Sequence, residues 1–232
     1  MNVLAIESSG ITGSVAACRD GETVAESALE RGAEHGRGLV PLVDEVTRRA
    51  GWERGAGVDL VAVSQGPGSF TGLRVGIVCA KTMAVLLNKP IVGVCSLDAM
   101  AENAPESAER IVTALDAKRG QVYFAQYERA AGGLRRVAGP KLGTPEESLA
   151  GVPAPAYVMG DALRHHAETY ARGKAVAAPE EQWRIRASTV ARLALADFGK
   201  GRSDEPFTMQ PTYIRLAEAE ERRLAREGKA QA

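Results

Sequence analysis

The chain contains two segments that open in the same way, with a short apolar run that ends in a carboxylate and continues into a polar turn. In the first segment Ala5-Ile6-Glu7 precedes a turn that reaches Gly13, and in the second Ala114-Leu115-Asp116 precedes a turn that reaches Gly120. Apolar runs of strand length and segments with helical spacing follow each opening. The repeat therefore predicts an α/β unit that occurs twice, and it constrains the fold more than any other feature of the sequence.

The first half predicts the element order βββαβαβ, and the same order restarts after residue 107. Expected strands lie at 3–6, 14–18, 23–29, 58–63 and 91–94, and expected helices lie around 39–50 and at 72–87. We therefore predict an N-terminal lobe at residues 1–103, a C-terminal lobe at 104–207, and a C-terminal segment with a charged tail at 208–232. One larger α/β sheet without internal symmetry is the alternative.

Two such units side by side are typical of the ribonuclease-H-like fold of the actin, Hsp70 and sugar-kinase superfamily, with lobes of βββαβαβα-like order. In that superfamily a nucleotide lies between the lobes, and two acidic hairpins face its phosphates. By this analogy the two repeated openings would border a cleft that is a vestige of a nucleotide site. Its candidate residues are Glu7, Ser8, Ser9, Asp116 and Lys118. A fold shared by many activities does not by itself decide the function.

A glycine-rich loop, Ser64–Arg74, joins an expected buried strand to the helix at 72–87. The loop lacks the glycine spacing and the lysine of a Walker A loop, which holds nucleotide phosphates. Two interpretations stay open, namely a tight turn capped by Ser69 or Thr71, which is favoured, and a phosphate site at the start of the helix.

The helix that follows this loop carries a stripe of small residues at every fourth position, at Gly72, Gly76, Ala80 and Ala84. Each glycine inside a helix costs about 1 kcal/mol relative to alanine, so a close neighbour should compensate for it. That neighbour is either the core of this chain or a second protein chain, and the pattern alone leaves both open.

Composition and charge limit the classes of function. The chain has 29 Lys and Arg residues and 29 Asp and Glu residues, so its formal net charge is zero, which argues against a large basic face for nucleic acid. The first residues lack the pattern of a signal peptide, and no apolar run is expected to be long enough to cross a bilayer. Three cysteines without a CxxC motif predict neither disulfides nor a zinc site, and we expect a cytoplasmic protein.

No complete catalytic or metal-binding set is apparent in the sequence. His35 has no second histidine four residues later, and the adjacent His165 and His166 would point to different sides of a helix. Neither Ser8 nor Ser9 has an assignable base or a nucleophile-elbow motif. We therefore predict neither catalytic residues nor metal ligands in this chain.

Several motifs together resemble those of one known family, TsaB, which is also called YeaZ. The resemblance extends along the chain, and the GPGSFTGLR run is its most specific part. The motifs are Leu4–Ser9, His35 before Leu39-Val40-Pro41, Gly66–Gly76, Asn88–Pro90, Ala114–Tyr123 and Pro211–Arg215.

The resemblance implies a non-catalytic relative of TsaD, the transferase that attaches a threonylcarbamoyl group to the adenosine next to the tRNA anticodon. It implies a scaffold or dimerisation subunit that binds TsaD, works with the ATPase TsaE, and forms homodimers when TsaD is absent. ATP, ADP and metal would then belong to the partner subunits or to the subunit interface, and tRNA contact would be indirect or shared. The implied interface residues are Leu39, Leu42, Val43, Val46, Gly72, Gly76 and Ala80.

Two other functions remain as alternatives. In a stand-alone ATP-binding kinase or transferase, Glu7 and Asp116 would face each other across the cleft and hold a magnesium nucleotide. Glu7 replaces the aspartate that is commoner in the family, however, and this weakens a nucleotide role for the first hairpin. The other alternative, a metallopeptidase, would need a set of ligands that the histidines do not readily supply. The mixed charges at Glu218–Glu227 predict a solvated helix or a frayed end.

Overall fold

The structure, a computed structural model, describes residues 1–29 and 35–215 of the 232-residue chain. The elements of the first part of the chain are β1 (Asn2–Glu7), β2 (Ser14–Arg19), β3 (Glu22–Ala28), α1 (His35–Arg49), β4 (Leu60–Gly66), α2 (Phe70–Leu87), β5 (Ile91–Cys95) and α3 (Ser96–Ala101). Its strands form a five-stranded sheet in the order β3-β2-β1-β4-β5, in which β1 is antiparallel to β2 and parallel to β4.

The elements of the second part of the chain are β6 (Arg110–Asp116), β7 (Val122–Ala130), β8 (Gly133–Gly143), α4 (Pro145–Leu149), β9 (Tyr157–Met159), α5 (Leu163–Arg172), β10 (Val176–Ala177) and α6 (Ala187–Gly199). Its strands form a second five-stranded sheet in the order β8-β7-β6-β9-β10. Again the first strand is antiparallel to the second and parallel to the fourth. The two sheets have the same strand order and directions, so the predicted duplicated ribonuclease-H-like fold is confirmed and the single-sheet alternative is wrong.

The last helix of the second repeat packs on the first sheet. Helix α6 contacts β1, β2, β4 and β5, and the backbone N–H of Ala187 donates to Ser14 Oγ at 3.0 Å. Ser188 donates from its N–H and its hydroxyl to the carboxylate of Glu26. Helix α6, which the sequence assigns to the C-terminal lobe at 104–207, therefore covers the face of the first sheet that α1 and α2 leave open.

The residues after α6 form what we call the C-terminal strap, Asp204–Arg215, which runs back over the N-terminal lobe. Met209 is buried in the core there, and the N–H of Thr212 donates to the carbonyl of Gln65 at 2.8 Å. At its end, Arg215 donates hydrogen bonds to the carbonyl oxygen of Ala117 and to the side chain of Gln121 in the other lobe. Residues 208–215 of the predicted C-terminal segment thus belong to this strap, while the tail expected at Glu218–Glu227 lies outside the described residues.

The stripe of small residues on α2 faces the loop that follows β1. A Cβ atom on Gly72 would lie 2.0 Å from the carbonyl oxygen of Ser8, and one on Gly76 would lie 1.9 Å from Ser8 Oγ. Ser8 Oγ itself donates to the carbonyl of Gly72 at 2.9 Å. The small residues therefore allow helix and loop to approach closely, and the core interpretation of the stripe is the correct one.

This packing corrects the implied partner interface. All seven implied residues are buried between the first sheet and the two helices. They therefore stabilise the core of the lobe, and the outer surface of the helices is formed by other residues. The seven residues are Leu39, Leu42, Val43, Val46, Gly72, Gly76 and Ala80. The apolar spacing identified the helices correctly, but the buried faces are those that pack on the sheet.

Helix α2 also corrects the expectation about membrane spans. Its 18 residues have a mean hydropathy of 1.6, so within the described residues it is the one helix long and apolar enough to cross a bilayer by length and composition. Its buried residues, such as Ile77 and Ala84, belong to the core cluster of the N-terminal lobe. We therefore interpret α2 as a core helix of a folded domain.

The contact between Gly76 and Ser8 yields a test of stability. We expect Gly76→Ala to lower the free energy of unfolding by about 1–3 kcal/mol, because the added methyl group must displace Ser8. The matched control is Gly199→Ala at the end of α6, where a Cβ meets no atom within 4 Å. Urea denaturation should show a lower free energy of unfolding for Gly76→Ala than for the wild type, and no decrease for the control. Equal stability of both variants would contradict the close approach of α2 to Ser8.

Candidate functional site

A cleft of ≈ 970 Å³ separates the two lobes. One wall carries the turn after β1, including Gly10 and Ile11, together with the Gly68–Phe70 loop. The other wall carries the end of β6 and the turn after it, and the segment Glu180–Arg186 closes one side. The two repeated openings thus face one cleft, as the fold analogy predicts.

The carboxylate of the first opening holds its own turn together. Glu7 Oε1 accepts hydrogen bonds from the N–H and the hydroxyl of Ser9, both at 2.6 Å, and from the N–H of Gly10 at 3.0 Å. Ser64 Oγ approaches the same oxygen at 3.4 Å. The side chain therefore points back into the protein, and the N–H groups of Ser9 and Gly10 are engaged by it and do not face a ligand.

Burial dominates the acid–base behaviour of Glu7. The residue is fully buried, and Oε2 has no hydrogen-bond partner among the described residues. Desolvation raises the pKa of Glu7 to about 7, against the opposing hydrogen bonds from Ser9, Gly10 and Ser64. The carboxyl group thus keeps its proton over much of the acidic range, which suits a structural clamp better than a magnesium ligand.

The carboxylate of the second opening faces the cleft. Asp116 Oδ2 accepts a hydrogen bond from Lys118 Nζ at 2.6 Å, and Oδ1 accepts one from the N–H of Lys118 at 2.9 Å. Partial burial raises the pKa of Asp116, but the hydrogen bonds and charge of Lys118 outweigh it, so the net pKa is lowered. Asp161 accepts a hydrogen bond from the N–H of Asp116. Desolvation raises the pKa of Asp161. The two openings therefore differ: one carboxylate is turned inward, and the other pairs with a lysine.

The glycine-rich loop behaves as a capped turn. Ser69 Oγ accepts a hydrogen bond from the N–H of Gly72 at 3.2 Å and so forms the N-cap of α2. The N–H of Ser69 donates to the carbonyl of Ser9 at 2.8 Å, which ties the loop to the first hairpin. The capped-turn interpretation that the sequence favours is thus confirmed.

Of the five predicted cleft residues, the structure brings three to the cleft wall: Ser9, Asp116 and Lys118. Glu7 and Ser8 lie behind the wall and are fully buried, which corrects their placement, because the turn folds over them. Among the described residues, no three His, Cys, Asp or Glu side chains lie close enough together to hold a metal ion.

Sequence reasoning missed the side of the cleft formed by Trp183, Arg184 and Arg186. The indole N–H of Trp183 donates to the carbonyl of Ala178 at 2.9 Å, and both arginines are exposed. Ile185 between them is buried. The sequence signal for them is the alternation of cation, apolar residue and cation just before a helix.

A second surface lies on the outer side of α1 and α2. Val40 on α1 is 64% exposed, and on α2 Val78 is 63% and Leu86 76% exposed. Val85 on α2 is also exposed. These four residues, which we call the outer apolar face, belong to the two helices that the sequence implied as an interface, although they are different residues.

The comparisons with known proteins agree with this architecture. The family model described as TsaD, tRNA N6-adenosine threonylcarbamoyltransferase, matches residues 28–190. The chain belongs to this family. A relative within it, the tRNA threonylcarbamoyladenosine biosynthesis protein TsaB of Escherichia coli K12, is 35% identical over 136 residues. That match spans 58% of this chain and 58% of the relative's own length.

Two solved structures from Pseudomonas aeruginosa have the same fold at 26% sequence identity. One, an uncharacterized protein with similarity to peptidase YeaZ, has a TM-score of 0.81 over 92% of this chain and 99% of its own. The other, YeaZ, has a TM-score of 0.78 over 91% and 99%. The predicted relationship to the TsaB, or YeaZ, branch is therefore confirmed.

The buried carboxyl group yields a test based on pH. In the unfolded chain Glu7 loses its proton near pH 4.5, and in the folded protein near pH 7. Between these pH values the unfolded chain has released the proton that the folded protein still holds, so a rise in pH favours unfolding. The free energy of unfolding of the wild type should therefore fall relative to that of Glu7→Gln, by about 3 kcal/mol at most.

Urea denaturation at intervals from pH 5 to pH 8 measures this difference. Glu106→Gln, at an exposed residue of the linker between α3 and β6, serves as the control for removal of one carboxylate. Parallel stability profiles of the wild type and Glu7→Gln would contradict the assignment of a protonated clamp.

Proposed function

We propose that this protein acts in the biosynthesis of tRNA threonylcarbamoyladenosine as a non-catalytic subunit that binds a TsaD-type transferase. The observation that carries the proposal is the outer apolar face. Val78 and Leu86 are largely exposed on a helix whose opposite side is in the core. Exposed apolar side chains gathered on two neighbouring helices are typical of protein–protein contact surfaces.

The cleft supports a non-catalytic role. Glu7 is turned into the protein and Asp116 is paired with Lys118, so neither hairpin presents an uncommitted carboxylate for a magnesium nucleotide. We propose that ATP, ADP and metal act on the partner subunits or at the subunit interface. The metallopeptidase alternative finds no three-ligand cluster among residues 1–29 and 35–215.

The same surface suggests the further partners of the subunit. We propose that the outer apolar face forms a homodimer when TsaD is absent, because two copies of one apolar surface can cover each other. TsaE would join the pair of subunits, and tRNA contact would be indirect or shared, consistent with the zero net charge. The free thiols Cys18, Cys79 and Cys95 are compatible with the proposed cytoplasmic location.

Sedimentation velocity with the TsaD protein of the same organism tests the proposal. The wild-type chain and TsaD, mixed in equal amounts, should give a heterodimer boundary. Val78→Glu and Leu86→Glu should each weaken the pairing about tenfold or more, because a charge would be buried without a partner.

The matched control is Val137→Glu on β8, where valine is also exposed but lies in the other lobe. It should pair with TsaD as the wild type does. Separate boundaries for the two wild-type proteins at micromolar concentration would overturn the subunit role, and normal pairing of both face variants would overturn the assigned surface.

A second candidate, the stand-alone ATP-dependent enzyme, is favoured only by the size of the cleft. It requires the isolated chain to hydrolyse ATP or to transfer its phosphate, and it requires Asp116→Ala to abolish that activity. Assays of ATP turnover with the isolated wild-type chain and this variant therefore separate the two candidates.

A further inference from the structure

We propose that the C-terminal strap couples helix α2 to the wall of the cleft. Its last described residue holds the β6–β7 turn, Ala117–Gln121, in a conformation that such a turn does not favour by itself. The strap is bonded to α2 at two points and to the turn at its end, so a continuous set of contacts joins helix and turn. This inference does not rest on the proposed subunit role, because it concerns the isolated chain.

The β6–β7 turn has an unusual backbone. Its three central residues, Lys118, Arg119 and Gly120, have φ angles of 62°, 56° and 71°, so all three are left-handed. A three-residue hairpin loop ordinarily has two right-handed residues followed by one left-handed residue. A Cβ atom disfavours the left-handed region, so Lys118 and Arg119 need neighbouring groups that compensate for it.

The hydrogen bonds at the base of the turn show which group compensates. The N–H of Ala117 donates to the carbonyl of Gln121 at 2.9 Å, but the N–H of Gln121 donates to the carbonyl of Lys118 at 3.1 Å. In an ordinary antiparallel pair that second N–H would donate to Ala117. The carbonyl of Ala117 instead accepts from the guanidinium group of Arg215, which also donates to the side chain of Gln121. Arg215 thus joins the two sides of the base and replaces the missing bond.

The turn that Arg215 holds is part of the cleft wall. Ala117 and Lys118 line the cleft together with Asp116. The N–H and Nζ of Lys118 both donate to the carboxylate of Asp116, at 2.9 and 2.6 Å. Because one of these bonds comes from the backbone of Lys118, a change of its φ angle also moves the ion pair at the cleft.

The strap runs along α2 before it reaches the turn. The hydroxyl oxygen of Tyr213 accepts a hydrogen bond from Arg74 Nε at 2.9 Å, and the Tyr213 ring lies 5.3 Å from that of Phe70. About two helical turns further along α2, Lys81 Nζ donates to the carbonyl of Met209 at 3.1 Å. Met209 is buried in the core of the N-terminal lobe. The position of Arg215 is therefore set from α2.

The strap also borders the outer apolar face. Val78 lies four residues from Arg74 and three from Lys81, and residues at these spacings are neighbours on a helix surface. Lys81 also donates to the carbonyl of Phe207 on the strap, at 3.4 Å, and Phe207 is 78% exposed. A molecule that covers Val78 therefore also lies beside the strap, which links it to the cleft wall.

Amide hydrogen exchange of the isolated full-length chain, followed by NMR, tests this coupling. In Arg215→Ala the hydrogen-bonded amides of the turn, those of Ala117, Lys118 and Gln121, should exchange about tenfold faster or more. Tyr213→Ala should also raise their exchange, because the ring and hydroxyl of Tyr213 hold the strap on α2. Unchanged turn exchange in Tyr213→Ala would overturn the link to α2.

A comparison at Arg119 tests whether Arg215 holds the left-handed conformation. Arg119→Gly and Arg119→Ala both remove the side chain, but only glycine adopts the left-handed region without cost. Adding Arg215→Ala should raise turn exchange about tenfold in the Arg119→Ala protein and about threefold or less in the Arg119→Gly protein. An equal increase in both proteins would contradict a turn that depends on Arg215 for its conformation.

The matched control is Arg172→Ala on α5, an exposed arginine whose partner Glu168 lies on the same helix. Its turn amides should exchange as in the wild type. In every variant the amides of α6 should exchange within about twofold of the wild-type rate, because α6 belongs to the main core. Unchanged turn exchange in Arg215→Ala, or an equal rise throughout the chain, would overturn the proposal.

Discussion

The close approach of α2 to the loop after β1 is the contact on which the rest of the structure depends. Gly72 and Gly76 let the helix lie against Ser8, and the hydroxyl of Ser8 donates to the carbonyl of Gly72. A side chain at either glycine would move the helix away from the sheet, and with it the capped loop at Ser69. The positions of the cleft wall and of the outer apolar face both follow from this one contact.

The two repeated hairpins have the same backbone plan but different chemistry. In the first, the longer side chain of Glu7 reaches back to the N–H groups of Ser9 and Gly10 and closes the turn on itself. In the second, Asp116 stays at the cleft and is neutralised by Lys118. The two hairpins therefore present different groups to the cleft, a turn closed on its own carboxyl group in one and an ion pair in the other.

The outer sides of α1 and α2 expose apolar residues while their inner sides complete the core. The core and the proposed partner surface therefore use opposite faces of the same helices. Ile185 and Asn103 anchor the segment that carries Arg184 and Arg186, and both arginines line the cleft. The C-terminal strap joins the two lobes, from Met209 in one core to Arg215 at the turn of the other lobe.

The sequence by itself determined the duplicated fold, the family, and nearly every strand and helix, because apolar periodicity and turn residues are local properties that short segments display. It also identified Ser9, Asp116 and Lys118 at the cleft, since the repeat places both openings at equivalent points. Only the tertiary structure decided which way Glu7 points, that Gly76 faces Ser8, and that Val78 faces outward while Ala80 is buried. It likewise placed Arg184 and Arg186 along the cleft that the first hairpin also lines, and it placed α6 on the first sheet. These features depend on contacts between residues far apart in the chain, and no local pattern specifies which face of an apolar helix meets the sheet.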